Sequence, residues 1–157
     1  MNNQIGFYIP LVSNTQLNQS LLKILNDISD NYNTILFNSQ YDFIDQTTRK
    51  FSVLHCNQSK YFYGVLFAFD IDSVSIIHSF PAPNKKVFVT SEIFWKNKTY
   101  PAKISQDLLD SEIDIVTYDN KAYDLYDICF KKPIFNMTNG LTSEDFLNVI
   151  NSLCPVE

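Results

Sequence analysis

Residues 51–79 read FSVLHCNQSKYFYGVLFAFDIDSVSIIHS, and the assignment of this stretch decides the fold. Residues 51–55 and 74–77 are short, apolar and rich in β-branched side chains, and both read as strands. Between them, residues 61–69 form an unbroken apolar and aromatic run around Gly64. Periodicity alone does not separate a buried helix from a buried strand in such a run. Its position between two strands favours a helix, because the rest of the chain alternates strand and helix.

That alternation extends in both directions. Residues 5–12 read as a first strand ending in the turn signal Ser13-Asn14. Leu17, Leu21, Ile24, Leu25 and Ile28 then share one face of a helix. Residues 34–37 make a second strand, and 41–48 a helical turn or two. Downstream, Asp70 and Asp72 fall in a turn before the strand at 74–77, and 87–89 is a further strand. Ser105 opens a short helix through Leu109, and 113–117 is a strand. Asp119 caps a helix whose apolar face is Ala122, Leu125, Tyr126 and Cys129, and Pro133 stops it. After a strand at 134–137, Thr142 and Asp145 form an N-terminal cap flanked by the staple pair Leu141 and Phe146. Short connections of this kind build a doubly wound, mostly parallel α/β sheet of the Rossmann-like kind, with helices on both faces. The reading is one domain over residues 1–157, with no linker or internal repeat.

Composition narrows the function classes. The net charge is −5, and Lys and Arg cluster only as Arg49-Lys50, Lys85-Lys86 and Lys131-Lys132, so nucleic acid is not an expected partner. No apolar stretch reaches membrane-spanning length, and the first residues lack a signal-peptide pattern. Cys56, Cys129 and Cys154 are odd in number and without CxxC spacing, which suits reduced thiols in a cytoplasm. Only Gly6, Gly64 and Gly140 are present, so neither GxGxxG nor GxxxxGK[ST] exists and no nucleotide cofactor is expected. Asp107, Asp110, Glu112 and Asp114 lack the EF-hand arrangement, and the two histidines and three cysteines cannot gather a zinc site, so no metal is expected.

In open α/β sheets ligands bind beyond the carboxyl ends of the strands. With the strands assigned as above, that rim carries Ser13, Asn14, Asn57, Ser79, Ser91 and Glu92 as candidate ligand contacts. It also carries both histidines, His55 and His78, whose imidazoles suit proton transfer near neutral pH. The bland alternative is that polar residues gather at strand ends because the backbone leaves the core there.

The segment from Phe51 through His55 and Asn57, the aromatic run with Gly64, and Val74 through His78-Ser79 resembles the N-terminal domain of GT-B-type glycosyltransferases. Glu112-Ile-Asp-Ile-Val-Thr117 and the Asn139-Gly140 pair are similar to later landmarks of that domain. The resemblance implies a sugar or sugar-nucleotide ligand, with His78 or His55 as the base activating an acceptor hydroxyl. The glycine-rich turn of many members is replaced here by Pro10-Leu-Val-Ser13-Asn14, and the chain ends where the family's second domain begins. The expectation is therefore a stand-alone glycosyltransferase-like domain that binds a ligand or protein partner, or one part of a split transferase. The competing expectation is a non-enzymatic interaction protein, a small viral or accessory factor, that docks or homodimerises through an aromatic-rich surface. A hydrolase on the same scaffold lacks a GxSxG elbow.

Overall fold

The computed structural model describes residues 4–12, 15–40, 49–81, 85–93, 95, 108 and 112–154. Its elements in chain order are β1 (Gln4–Tyr8), α1 (Gln16–Ile28), β2 (Asn33–Asn38), β3 (Ser52–His55), a 3-10 helix (Cys56–Tyr61) and β4 (Val65–Ala68). They continue with α2 (Ile71–His78), β5 (Lys85–Thr90), β6 (Asp114–Thr117), α3 (Asn120–Cys129), β7 (Phe135–Asn136) and α4 (Ser143–Leu153). The expected elements at 41–48 and 105–109 lie outside the described residues, Leu108 excepted.

The seven strands form one sheet in the order β3-β2-β1-β4-β5-β6-β7, and every pairing is parallel. This is the Rossmann-like order 3-2-1-4-5-6 with one further strand at the edge. Among the described elements, α1 and α4 pack on one face through Leu21, Leu25, Ile28, Phe146 and Val149. Helices α2 and α3 and the 3-10 helix cover the other through Ile71, Ile77, Tyr126 and Cys56. The sheet is thus buried on both sides, which explains why β4 reads as Val-Leu-Phe-Ala with all four side chains buried.

Two neighbouring assignments are reversed relative to the sequence reading. The run at 61–69 is the end of a 3-10 helix followed by strand β4, not a helix. His55 opens the 3-10 helix: its Nδ1 accepts from the Asn57 amide at 3.2 Å, and its own amide donates to Gln58 Oε1. The backbone then turns extended at Phe62, and Gly64 takes φ +153°, a value that no regular helix admits. Residues 74–77, expected as a strand, belong to helix α2. The cause is Asp70, whose Oδ1 accepts the Ser73 amide at 2.7 Å and whose Oδ2 accepts the Ser73 hydroxyl at 2.6 Å. This N-cap starts a helix that buries Ile71, Val74 and Ile77 at three-residue spacing and leaves Ile76 exposed.

The exchange keeps the strand count and the parallel topology, so the Rossmann-like α/β fold stands. Aromatic side chains fill its interior: Phe7, Phe37, Phe67, Phe146 and Tyr126 are at most 1% exposed. Among the described residues, no helix is long and apolar enough to cross a membrane.

Candidate functional site

The strand order reverses between β1 and β4. The connection from β1 leaves over one face through α1, and that from β4 leaves over the other through α2. Diverging connections leave a crevice at the carboxyl edge, the place where doubly wound sheets bind ligands. Here the crevice consists of two adjoining pockets. One, of about 190 Å³, is lined by Thr90, Glu92 and Tyr118 beyond β5 and β6. The other, of about 470 Å³, is lined by Ile9, Pro10, Leu11 and Asp72, among others. Leu17, Phe69 and Asp70 line both and join them. Together they reach the range of roughly 300–1,000 Å³ that small-molecule sites occupy.

The walls are fixed by hydrogen bonds and ring contacts, most of them between residues far apart in sequence. Past β1, the Ile9 amide donates to the Phe37 carbonyl, and the Ser39 amide donates to the Pro10 carbonyl, both at 3.0 Å. The fully buried Asn38 completes this seam: its Nδ2 donates to the Ile9 carbonyl at 2.8 Å and its Oδ1 accepts from the Gln40 amide at 2.6 Å. On the joining wall, the Phe69 ring packs 4.9 Å from Phe7. On the far wall, the Glu92 amide donates to Thr90 Oγ1 at 2.9 Å, and the Glu92 carbonyl accepts from the Tyr126 hydroxyl at 3.0 Å. The exposed Glu92 side chain is therefore mounted on a backbone held at two points.

At the inner side of the larger pocket is Tyr8, the last residue of β1. Burial pushes its hydroxyl up to about 12, with Cys56 and the Asp70 carboxylate adding to the effect. Tyr8 is thus a neutral phenol at any physiological pH. Burial likewise pushes the Cys56 thiol up, which disfavours the thiolate that a nucleophile needs. The described lining is acidic rather than basic: Asp70, Asp72 and Glu92 line the crevice, and no Lys or Arg does so among the described residues.

The residues expected at the site from sequence fall into three groups. Glu92 lines the crevice, and Ser91 stands beside it, half-buried. His55 and Asn57 lie at the carboxyl end of β3, but they form the opening turn of the 3-10 helix and line neither pocket. His78 and Ser79 are corrected in place. Because 71–78 is helical and runs back across the sheet, both residues sit at the opposite, amino edge. There the His78 carbonyl accepts from Lys86 Nζ near the start of β5, and the Ser79 hydroxyl donates to the Ile76 carbonyl. The two histidines therefore do not face one another. Ser13 and Asn14 lie outside the described residues.

Several crevice residues carried no signal of their own in the sequence. Tyr8, Phe69 and Thr90 are strand-end residues whose role comes from the strand order, whereas Tyr118 is expected on the rim because it follows the strand at 113–117. Asp70 was legible only as a turn acid, although the spacing Asp70-x-x-Ser73 is that of an N-cap. The acidic residues at 107 and 110 lie outside the described residues, and Asp114 pairs with Lys85 at 2.9 Å. Among the described residues, no three His, Cys, Asp or Glu side chains gather as a metal site.

Chemically, the crevice offers carboxylate oxygens that accept hydrogen bonds, and the rings of Phe69 and Tyr118 as apolar surface. That combination suits a neutral ligand rich in hydroxyl groups and disfavours a phosphate, which needs compensating cations or a glycine-rich backbone cradle. Comparison of the chain with protein-family models, with curated proteins and with solved structures finds no match, so the reading of this crevice rests on its own chemistry.

Proposed function

We propose that this chain is a ligand-binding, glycosyltransferase-like domain that holds a sugar-type ligand in the crevice between β1 and β4. The observation that carries the reading is the exposed Glu92 carboxylate lining one pocket with the Phe69 and Tyr118 rings, beside an Asp70 carboxylate held by Ser73. Carboxylates accept from adjacent sugar hydroxyls, and aromatic rings cover the apolar faces of a sugar ring. The ligand in this reading is a free sugar or a glycoside rather than a sugar nucleotide, because two carboxylates repel a diphosphate. Transfer is assigned to a second domain or subunit, since neither histidine lines the crevice. The three free cysteines fit a reducing compartment such as the cytoplasm.

A thermal-shift panel of monosaccharides and their methyl glycosides against uridine and guanosine diphosphates tests the proposal. A ligand at a hundred times its Kd adds about 2.7 kcal/mol, or roughly 5–10 °C in Tm for a chain of this size. The expected result is a shift with a sugar that Glu92→Gln diminishes, and none with the diphosphates. A flat response to every sugar overturns the reading and favours the interaction-protein alternative. For that alternative, Tyr61 and Tyr63 are the aromatic side chains left well exposed among the described residues.

A further inference from the structure

We infer that the ligand of this crevice is amphiphilic, a hydroxyl-rich head joined to an apolar tail of the alkyl or aryl glycoside class. The inference rests on the sugar-binding reading above and extends it to the second pocket. That pocket is the larger of the two, and it is joined to the first through Leu17, Phe69 and Asp70. A single molecule that occupies one therefore has a direct path into the other.

The two pockets differ in chemistry. The smaller presents the exposed Glu92 carboxylate and Tyr118. In the larger, the side chains of Thr15, Asp70 and Ser73 are already committed to helix capping. Thr15 Oγ1 accepts from the Asn18 amide at the start of α1, and the Ser73 hydroxyl donates to Asp70 at the start of α2. Apart from the exposed Asp72 carboxylate, the exposed surface of this pocket is largely aliphatic. Leu11 is 62% exposed, Leu17 38% and Ile76 43%, and all three line this pocket. A solitary exposed leucine is ordinary. Here three large aliphatic side chains come from the loop after β1, from α1 and from α2, and converge with Ile9 and Pro10 on one concavity. Convergence of separate segments on a concave apolar surface marks a binding groove. Its continuity with the polar pocket identifies the occupant as the tail of the ligand whose head the carboxylates hold.

The test is isothermal titration of the full chain with methyl, butyl and hexyl β-D-glucosides, all below their micelle concentrations. Matching galactosides and mannosides are run in parallel, with hexanol as the tail alone. Affinity is expected to rise about fourfold for each methylene that the pocket buries. Leu11→Ser and Ile76→Ser, both at exposed positions, are expected to flatten that dependence. Glu92→Gln is expected to weaken every glycoside by a similar factor and leave the slope intact. If methyl and hexyl glycosides bind equally, the tail pocket is refuted and the sugar reading stands. If hexanol binds as tightly as hexyl glucoside, the groove is real but the sugar head is refuted. Absence of binding by every glycoside overturns both.

Discussion

Replacing Gly64 by alanine should be among the most damaging single-methyl additions to this chain, and the reason is geometric. Gly64 precedes β4, the strand that pairs with β1 at the point where the sheet order reverses. At its φ of +153°, an added Cβ falls 2.3 Å from the Gln4 carbonyl oxygen and 2.9 Å from Phe62 Cζ. The first of these is backbone in β1, so relief requires separating two central strands by roughly 1 Å rather than turning a side chain. Gly140 supplies the control. Its φ is +81°, yet an added Cβ meets nothing within 4 Å. For Gly140→Ala the cost is the left-handed backbone, about 1–2 kcal/mol, less the few tenths regained by restricting the unfolded chain. Gly64→Ala carries a comparable backbone cost plus overpacking of about 1–3 kcal/mol, for a total of about 2–5 kcal/mol. Against a domain stability of about 5–15 kcal/mol, that is a large fraction. Urea unfolding followed by far-ultraviolet circular dichroism reads the difference. With an m-value near 2 kcal/mol/M, the midpoint of Gly64→Ala should fall by more than about 1 M, and that of Gly140→Ala by about half that or less. Equal midpoints for the two variants would refute the steric argument.

Three further outcomes follow from named contacts. Asn38→Ala should cost about 2–3 kcal/mol, because it removes two hydrogen bonds and leaves the Ile9 carbonyl without its side-chain donor. Asn38→Asp should give no rescue, since it turns a carboxylate oxygen toward that carbonyl; urea midpoints that match the parent would count against the seam. Tyr8 titrates near 12 when folded against about 10 when unfolded, so its contribution is complete below pH 10 and is lost as pH rises toward 12. Tyr8→Phe should therefore shallow the alkaline fall in Tm between pH 10 and 12, and an unchanged slope would contradict the assignment. With a disulfide reagent at pH 8, the exposed Cys129 should react at once and the buried Cys56 only as the chain unfolds, as mass spectrometry of the labelled peptides will show. Rapid native labelling of Cys56 would contradict its burial.

The parts of the fold that sequence made legible are those governed by short-range chemistry. Helix α4 is the clearest case: Thr142 Oγ1 accepts from the Asp145 amide as the spacing implied, and Phe146 enters the core. Helix α3 behaves likewise, with Asp119 accepting from the Ala122 amide. The exchange of helix and strand between residues 61 and 78 had a different origin. An apolar run four residues deep is equally good as a central strand, and only Gly64 and the Asp70–Ser73 cap distinguished the options. The strand-helix alternation favours a strand at 74–77, whereas the Asp70 cap makes it a helix and places His78 at the amino edge. The crevice was less legible still. Its residues come from β1, α1, β4, α2 and the ends of β5 and β6, and only the strand order brings them together. Glu92 was found because it follows a strand that was assigned to the right place.

The seam at Asn38 has a consequence for how the crevice meets its ligand. With Ile9 and Pro10 tied to Phe37, Asn38 and Ser39 across the carboxyl edge, these two residues continue the sheet past β1. A ligand entering beside Tyr8 finds that wall already in its bound shape, so little conformational entropy remains to be surrendered there on association. In the sugar-binding reading, recognition on this side is therefore preorganised along Ile9 and Pro10.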